Sequence, residues 1–120
     1  PLNFVYKDGK IYFHCAKNGH KLDAIKQNKK VSFCVIEKDE VDSEKLTTLF
    51  RSVVVFGKAE IMENEEKINS AMLSFGLKYN NDINAVKKEI ERERSGLCCV
   101  EITIEHITGK QAIELLRKNM

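Results

Sequence analysis

The stretch Ile11-Tyr12-Phe13-His14-Cys15-Ala16-Lys17-Asn18-Gly19-His20-Lys21-Leu22-Asp23-Ala24-Ile25-Lys26 ties the chain to a mixed architecture. Its opening residues predict a β-strand, Asn18-Gly19 predicts a turn, and a short helix begins at His20 and Lys21. Asp8-Gly9 marks a hairpin just before the strand. A helix start has free backbone N–H groups, and here a glycine lets the backbone come close while two potentially cationic side chains stand beside it. That is the outline of a phosphate-type anion site. A glycine and two basic residues at a helix start also coincide by chance, so the pattern alone is not specific.

The rest of the chain supplies strands and three helical stretches. Phe4-Val5-Tyr6 and Ile11–Cys15 flank Lys7-Asp8-Gly9-Lys10 and should pair antiparallel. Val31-Ser32-Phe33-Cys34-Val35-Ile36 is β-branched and aromatic, which predicts a third strand in an interior position. Residues 37–49 are densely charged and lack glycine and proline, and they read as a solvated loop. Their carboxylates lack the spacing and glycine of a metal-binding loop. A long strand follows over Arg51–Met62, with Gly57 expected to bend it. Asn64 can cap a helix whose Ile68, Ala71, Met72 and Phe75 form one apolar stripe, read as core, and Gly76 is expected to end or weaken that helix. A second helix from Asn81-Asp82 puts Ile83, Val86 and Ile90 inward. In the strand over Leu97–Ile107, Cys98, Val100, Ile102 and Ile104 should be buried and Cys99, Glu101, Thr103 and Glu105 wet. Thr108-Gly109-Lys110 reads as a turn into a final helix with Ala112, Ile113 and Leu116 inward. Strands joined by short hairpins, with helices gathered between strands four and five and at the end, mean α+β: a curled antiparallel sheet or small barrel with flanking helices.

At 120 residues the chain is expected to be one domain, residues 1–120. Twenty basic against eighteen acidic residues leave a net charge of +2, too balanced to argue for nucleic acid. Aromatic residues interleaved with lysines, Phe4, Tyr6, Tyr12 and Phe13 with Lys7, Lys10, Lys17, Lys29 and Lys30, raise an oligonucleotide-binding barrel, but acidic residues nearly cancel the basic ones. No apolar run approaches a membrane span and no signal-peptide pattern opens the chain, so the expected location is cytoplasmic, without a membrane partner. Cys15, Cys34, Cys98 and Cys99 show no CxxC spacing and read as reduced, mostly buried side chains.

Several segments, in order, resemble a known family. Pro1-Leu2-Asn3-Phe4-Val5-Tyr6, Asp8-Gly9-Lys10-Ile11-Tyr12-Phe13-His14, Gly19-His20-Lys21, Asn28, Arg51-Ser52-Val53-Val54-Val55-Phe56-Gly57-Lys58-Ala59 and Ile107-Thr108-Gly109-Lys110 together are similar to the flavin-binding split-barrel proteins related to pyridoxamine 5′-phosphate oxidase. The likeness is greatest to their nitroimidazole-resistance branch. The resemblance implies an antiparallel split β-barrel with flanking helices and a non-covalent FMN at a homodimer interface, each site drawing on both subunits. By position, it implies that Leu2, Asn3 and Phe4 line the isoalloxazine edge and that Phe13 and His14 meet the flavin. His20 and Lys21 would hold the phosphate, and Ser52 and Val53 would reach the ring or ribityl chain.

Three departures qualify the likeness. Family members ordinarily carry a helix and two strands before the position of Pro1, so strands upstream of the given chain are expected. His20 stands where the oxidase branch has arginine, which makes the phosphate contact weaken as pH rises through the histidine range. The oxidase branch's substrate-phosphate residues are not recognisable in Gly109–Met120, which argues against pyridoxamine 5′-phosphate as substrate. The implied activity is that of a reductase passing electrons from a nicotinamide or other donor to a small aromatic or nitro-aromatic acceptor, with His14 as the catalytic candidate. The alternative is a flavin-binding module without turnover, a sensor or carrier.

Overall fold

The computed structural model describes residues 2–118, with side chains through Leu115. The chain runs β1 (Val5–Lys7), β2 (Lys10–Ala16), α1 (His20–Gln27), β3 (Lys30–Asp42), β4 (Thr47–Ile61), α2 (Glu65–Tyr79), α3 (Ile83–Glu93), a 3-10 turn (Arg94–Gly96), β5 (Leu97–Gln111) and α4 (Ile113–Lys118). The strands make one antiparallel sheet ordered β1-β2-β5-β4-β3. The fold is thus α+β. The sheet is open, with β1 and β3 as its edges, and β3 does not take the interior position that its apolar run suggests. The chain divides into two compact units, Pro1–Val31 with Lys58–Ile104, and Ser32–Gly57 with Glu105–Met120.

In the first unit, β1 and β2 meet through Asp8 and Gly9, both in the left-handed region at φ 53° and 78°, as a two-residue hairpin of this hand requires. β2 pairs with β5 in a register that sets Ile11 opposite Ile102 and Phe13 opposite Val100. Directly opposed residues share a face, and these four are buried, as are Leu22 and Ile25 of α1. The other face carries Tyr12 opposite Glu101 and His14 opposite Cys99. Cys99, expected to be wet, is instead among the most buried residues, clustered with Ile68 and Met72 of α2. Both faces at the start of β5 are covered, and alternation predicts a wet face only where no helix lies over it.

Asn64 caps α2, its side chain accepting the Lys67 N–H at 3.0 Å. Ile68, Ala71, Met72 and Phe75 are buried in one stripe. The helix does not stop at Gly76 but continues to Tyr79. A methyl group on Gly76 would collide with the Val86 side chain of α3, so the glycine permits a close helix crossing. Asp82 caps α3 by accepting from the Asn84 and Ala85 amides at 3.1 and 3.2 Å. Val86 is buried and Ile90 half-buried, while Ile83, at the helix start, is exposed.

In the second unit, the charged stretch expected as a loop is mostly strand. β3 continues to Asp42 and β4 begins at Thr47, leaving only the turn 43–46. Ion pairs link Arg51 to Glu37 at 2.9 Å and Lys38 to Glu40 at 3.8 Å, so charge here decorates a solvated hairpin and does not break it. β4 passes through the buried Gly57 without a break, and β5 runs on through Thr108-Gly109-Lys110, where the sequence suggests a turn. Pairing wins over local propensity there. Arg51 Nε donates to Gln111 Oε1 at 3.2 Å, and the Ala112 N–H donates to the Phe50 carbonyl at 2.9 Å. Ala112 and Leu115 are buried and Ile113 is exposed, while Leu116, expected inward, lies outside the described residues' side chains. The cysteines are not uniformly buried either, since Cys34 on β3 is exposed and Cys15 and Cys98 are half-buried.

Candidate functional site

α1 opens at Gly19 with φ 156° and ψ 165°, a region that side chains other than hydrogen almost exclude. The first helical bond runs from the Asp23 N–H to the Gly19 carbonyl at 3.2 Å. No side chain caps this end, so the amides of the first turn are left for an outside acceptor. His20 and Lys21 are both exposed there. The Lys21 ammonium stands 5.6 Å from the centre of the Phe13 ring and forms no ion pair among the described residues. Asp23, in the same turn, is the one local charge opposing an anion.

Phe13 and His14 are neighbours on β2 and so point to opposite faces. Phe13 shares its face with Cys15 and lies under Lys21. His14 faces α2, its imidazole meeting the Phe75 ring edge-on at 4.9 Å and 85°. It lines a cavity of about 560 Å³ whose other walls include Asn3, Met72, Phe75, Val86 and Ile90. His14 is exposed overall, but its partial burial against the helix lowers the imidazole from its ordinary 6.5. At neutral pH the ring is therefore uncharged and offers one N–H donor and one acceptor nitrogen. Glu89 and Glu93 also line the cavity, but Arg92 pairs with them at 2.7 and 3.3 Å and offsets their charge. Beyond His14 on the same face, burial and then a hydrogen bond to Glu101 push the Tyr12 phenol up to about 12, and Lys10 meets Glu101 at 3.0 Å.

Of the residues marked from the sequence, Asn3 joins His14 at the cavity and Phe13 joins Lys21 beneath the helix start. Phe13 and His14 are not brought together. Leu2 is exposed, and Phe4 is half-buried under the Lys78 ammonium, which donates to its carbonyl at 2.7 Å and stands 4.5 Å from its ring centre. Ser52 and Val53 are half-buried on β4 in the second unit, where the Ser52 carbonyl lies 4.0 Å from the Cβ position of Gly109. The sequence reading missed that Met72 and Phe75 serve as cavity wall as well as core. Gly76 was the available signal, since a glycine inside an apolar stripe marks a close crossing beside which helices splay.

No protein of curated function matches the chain. Several solved structures share its fold. A candidate 5-nitroimidazole antibiotic resistance protein from Bacteroides thetaiotaomicron superposes with a TM-score of 0.67 at 21% identity, over 91% of this chain and 65% of that one. A conserved hypothetical protein from Mycobacterium tuberculosis gives 0.74 at 20% identity, over 92% and 66%. A FAD-binding protein from Mesorhizobium loti gives 0.57 at 22%, over 91% and 70%. The chain thus spans about two thirds of the length of the structures it resembles. The family model for pyridoxamine 5′-phosphate oxidase matches residues 1–111, and with the open antiparallel sheet it leads to one conclusion: the chain belongs to that family.

Proposed function

We propose that this chain binds FMN as a homodimer and uses it to reduce small aromatic or nitro-aromatic acceptors, taking electrons from a nicotinamide or a comparable donor. The observation that carries the reading is the uncapped start of α1, where amides without a side-chain acceptor, a glycine, the His20 imidazole and the Lys21 ammonium fit a phosphate. Similar structures described as a FAD-binding protein and a candidate nitroimidazole-resistance protein support the flavin and the acceptor class.

Bound FMN supplies the electron chemistry, and the chain's residues supply position and polarity. Lys21 and His20 hold the phosphate end, with Phe13 and the Lys21 stem forming an apolar floor beneath it. Leu2, Asn3, Phe4, Ser52 and Val53 are the remaining contacts proposed for the cofactor. His14, neutral in its half-apolar setting, donates a hydrogen bond to an oxygen of the acceptor. Because Phe13 and His14 lie on opposite faces of β2, a flat ring on one face meets only one of them within a subunit. A site that draws on two subunits reconciles the two roles.

The test is the visible spectrum of purified protein after loading with FMN, or separately with FAD, and desalting. Retained FMN with nicotinamide consumption that depends on a nitro-aromatic acceptor is the expected result. Retained flavin without consumption leaves a carrier or sensor, and no retained flavin removes the reading.

A further inference from the structure

Cys15 on β2 and Cys98 on β5 are direct partners in the antiparallel ladder, one rung before its end at Ala16 and Leu97. Opposed residues share a face with Cα atoms about 4.5–5.5 Å apart, inside the Cα range of about 4.4–6.8 Å that a disulfide needs, while their Cβ atoms, ordinarily about 4.5–5.5 Å apart, must draw in to about 4.5 Å or less for the bond to close. Both thiols are only half-buried. Cys98, with Cys99, also lines a cavity of about 400 Å³ whose wall carries Lys17, Lys26 and Arg94 together with Glu63 and Glu65, the last paired with Arg94 at 2.7 Å. The other two cysteines are placed differently. Cys99 follows Cys98 in the strand, so it points to the opposite face, where it packs against Ile68 and Met72. Cys34 is exposed on β3, whose neighbour in the sheet, β4, contains no cysteine.

We propose that Cys15 and Cys98 form a redox-active dithiol that closes to a cross-strand disulfide when the protein meets hydrogen peroxide. The Cys98 sulfur, on the cavity wall, attacks a peroxide oxygen. A sulfur–oxygen bond forms, the oxygen–oxygen bond breaks, and the departing hydroxide takes up the thiol proton as water. The Cys15 sulfur then displaces the oxygen of the sulfenic acid, forming the sulfur–sulfur bond and releasing a second water. Two thiols are oxidised and one peroxide is reduced, with no cofactor involved. Burial pushes both thiols up, opposed by Lys21 at Cys15 and by Lys26, Arg94 and Lys17 at Cys98. The pair is thus a slow responder, driven by sustained oxidant. The bond would tie the strand that leads into the Asn18-Gly19 turn to β5, staple a long loop of the unfolded chain, and so harden the fold.

The experiment exposes the full chain to a sustained excess of hydrogen peroxide and maps the proteolytic peptides by mass without reduction. The expected result is one linked peptide pair containing Cys15 and Cys98, loss of two of the four titratable thiols, reversal by dithiothreitol, and a thermal midpoint higher by on the order of 10 °C. Cys34→Ser keeps this behaviour, whereas Cys15→Ser and Cys98→Ser lose it. The inference is overturned by four thiols surviving, by dimers linked through Cys34, or by sulfinic acid at Cys98 with no bond to Cys15. Because the mapping is made on the unsubstituted chain, it decides the matter even where a serine variant fails to fold.

Discussion

His14 shows how one side chain can be marked by its surroundings. Its ring edge lies on Phe75 and burial holds its pKa below 6.5, so the folded protein favours the neutral imidazole more than the unfolded chain does. The unfolded state therefore binds more protons as pH falls. The stability this contributes is fully present above 6.5 and is lost as pH drops through that value toward the lower folded one. Urea unfolding of the native protein and of His14→Gln at about pH 7.5 and pH 5.5 should show the native protein losing stability relative to the variant at the lower pH. A pH-independent difference would discard the burial account. Lys21 makes the second residue-scale case. A charge-assisted phosphate contact is worth about 1.5–3 kcal/mol, so Lys21→Ala should weaken FMN binding about ten- to a hundredfold. Lys26→Ala, in the last turn of the same helix, should change it by less than about threefold. Equal flavin affinity in the two variants, read by fluorescence titration, would take the phosphate away from Lys21. Parity along β2 was readable from the sequence and already separates Phe13 from His14. The meeting of His14 with Phe75 of α2, which makes it a cavity residue, was not, because the two lie far apart along the chain.

At the scale of elements, the close crossing of α2 and α3 is the feature that local rules misjudge. Glycine inside a helix costs about 1 kcal/mol relative to alanine, so on propensity Gly76→Ala should stabilise α2. The Val86 side chain occupies the space that the added methyl needs, and the two helices must part or distort. The expected result is a loss of about 1–3 kcal/mol in chemical denaturation, against the sign that propensity gives. Pairing Gly76→Ala with Val86→Ala should recover part of it, and a gain of stability in the single variant would mean that the helices are not in contact there. The same logic explains which elements were legible. The Asp8-Gly9 hairpin, the Asn64 cap and the α2 stripe follow from local chemistry, and they stand. The 37–49 hairpin and the run of β5 through Thr108-Gly109-Lys110 depend on partners far along the chain, such as Arg51 with Glu37 and with Gln111. Polar, turn-rich sequence cannot announce a strand whose stability comes from its neighbour.

For the molecule as a whole, the two units differ in how well they bury their apolar residues. The first contains Ile11, Phe13, Leu22, Val100, Ile102 and most of the other buried side chains. In the second, the buried apolar side chains among the described residues are Val55, Ala112 and Leu115, while Ile36, Val41, Leu46, Phe56, Ile107 and Ile113 are exposed. Single exposed apolar residues are ordinary, but such a concentration beside so small a core fits the proposed homodimer, in which another chain would cover part of it. Nothing in the sequence announces it, since β3 reads as an interior strand and its exposure appears only with its edge position. A second copy of this chain is the proposed cover, as a flavin site shared between subunits requires. Sedimentation of the protein at tens of micromolar should therefore give the mass of a dimer, and its thermal midpoint should rise with concentration, because association stabilises only the folded form. Ile36→Glu with Ile107→Glu should shift the mass to that of a monomer, remove the concentration dependence and lower flavin retention at equal protein. A native protein that sediments as a monomer, or a double variant that still dimerises, would take the partner off this surface and with it the two-subunit site.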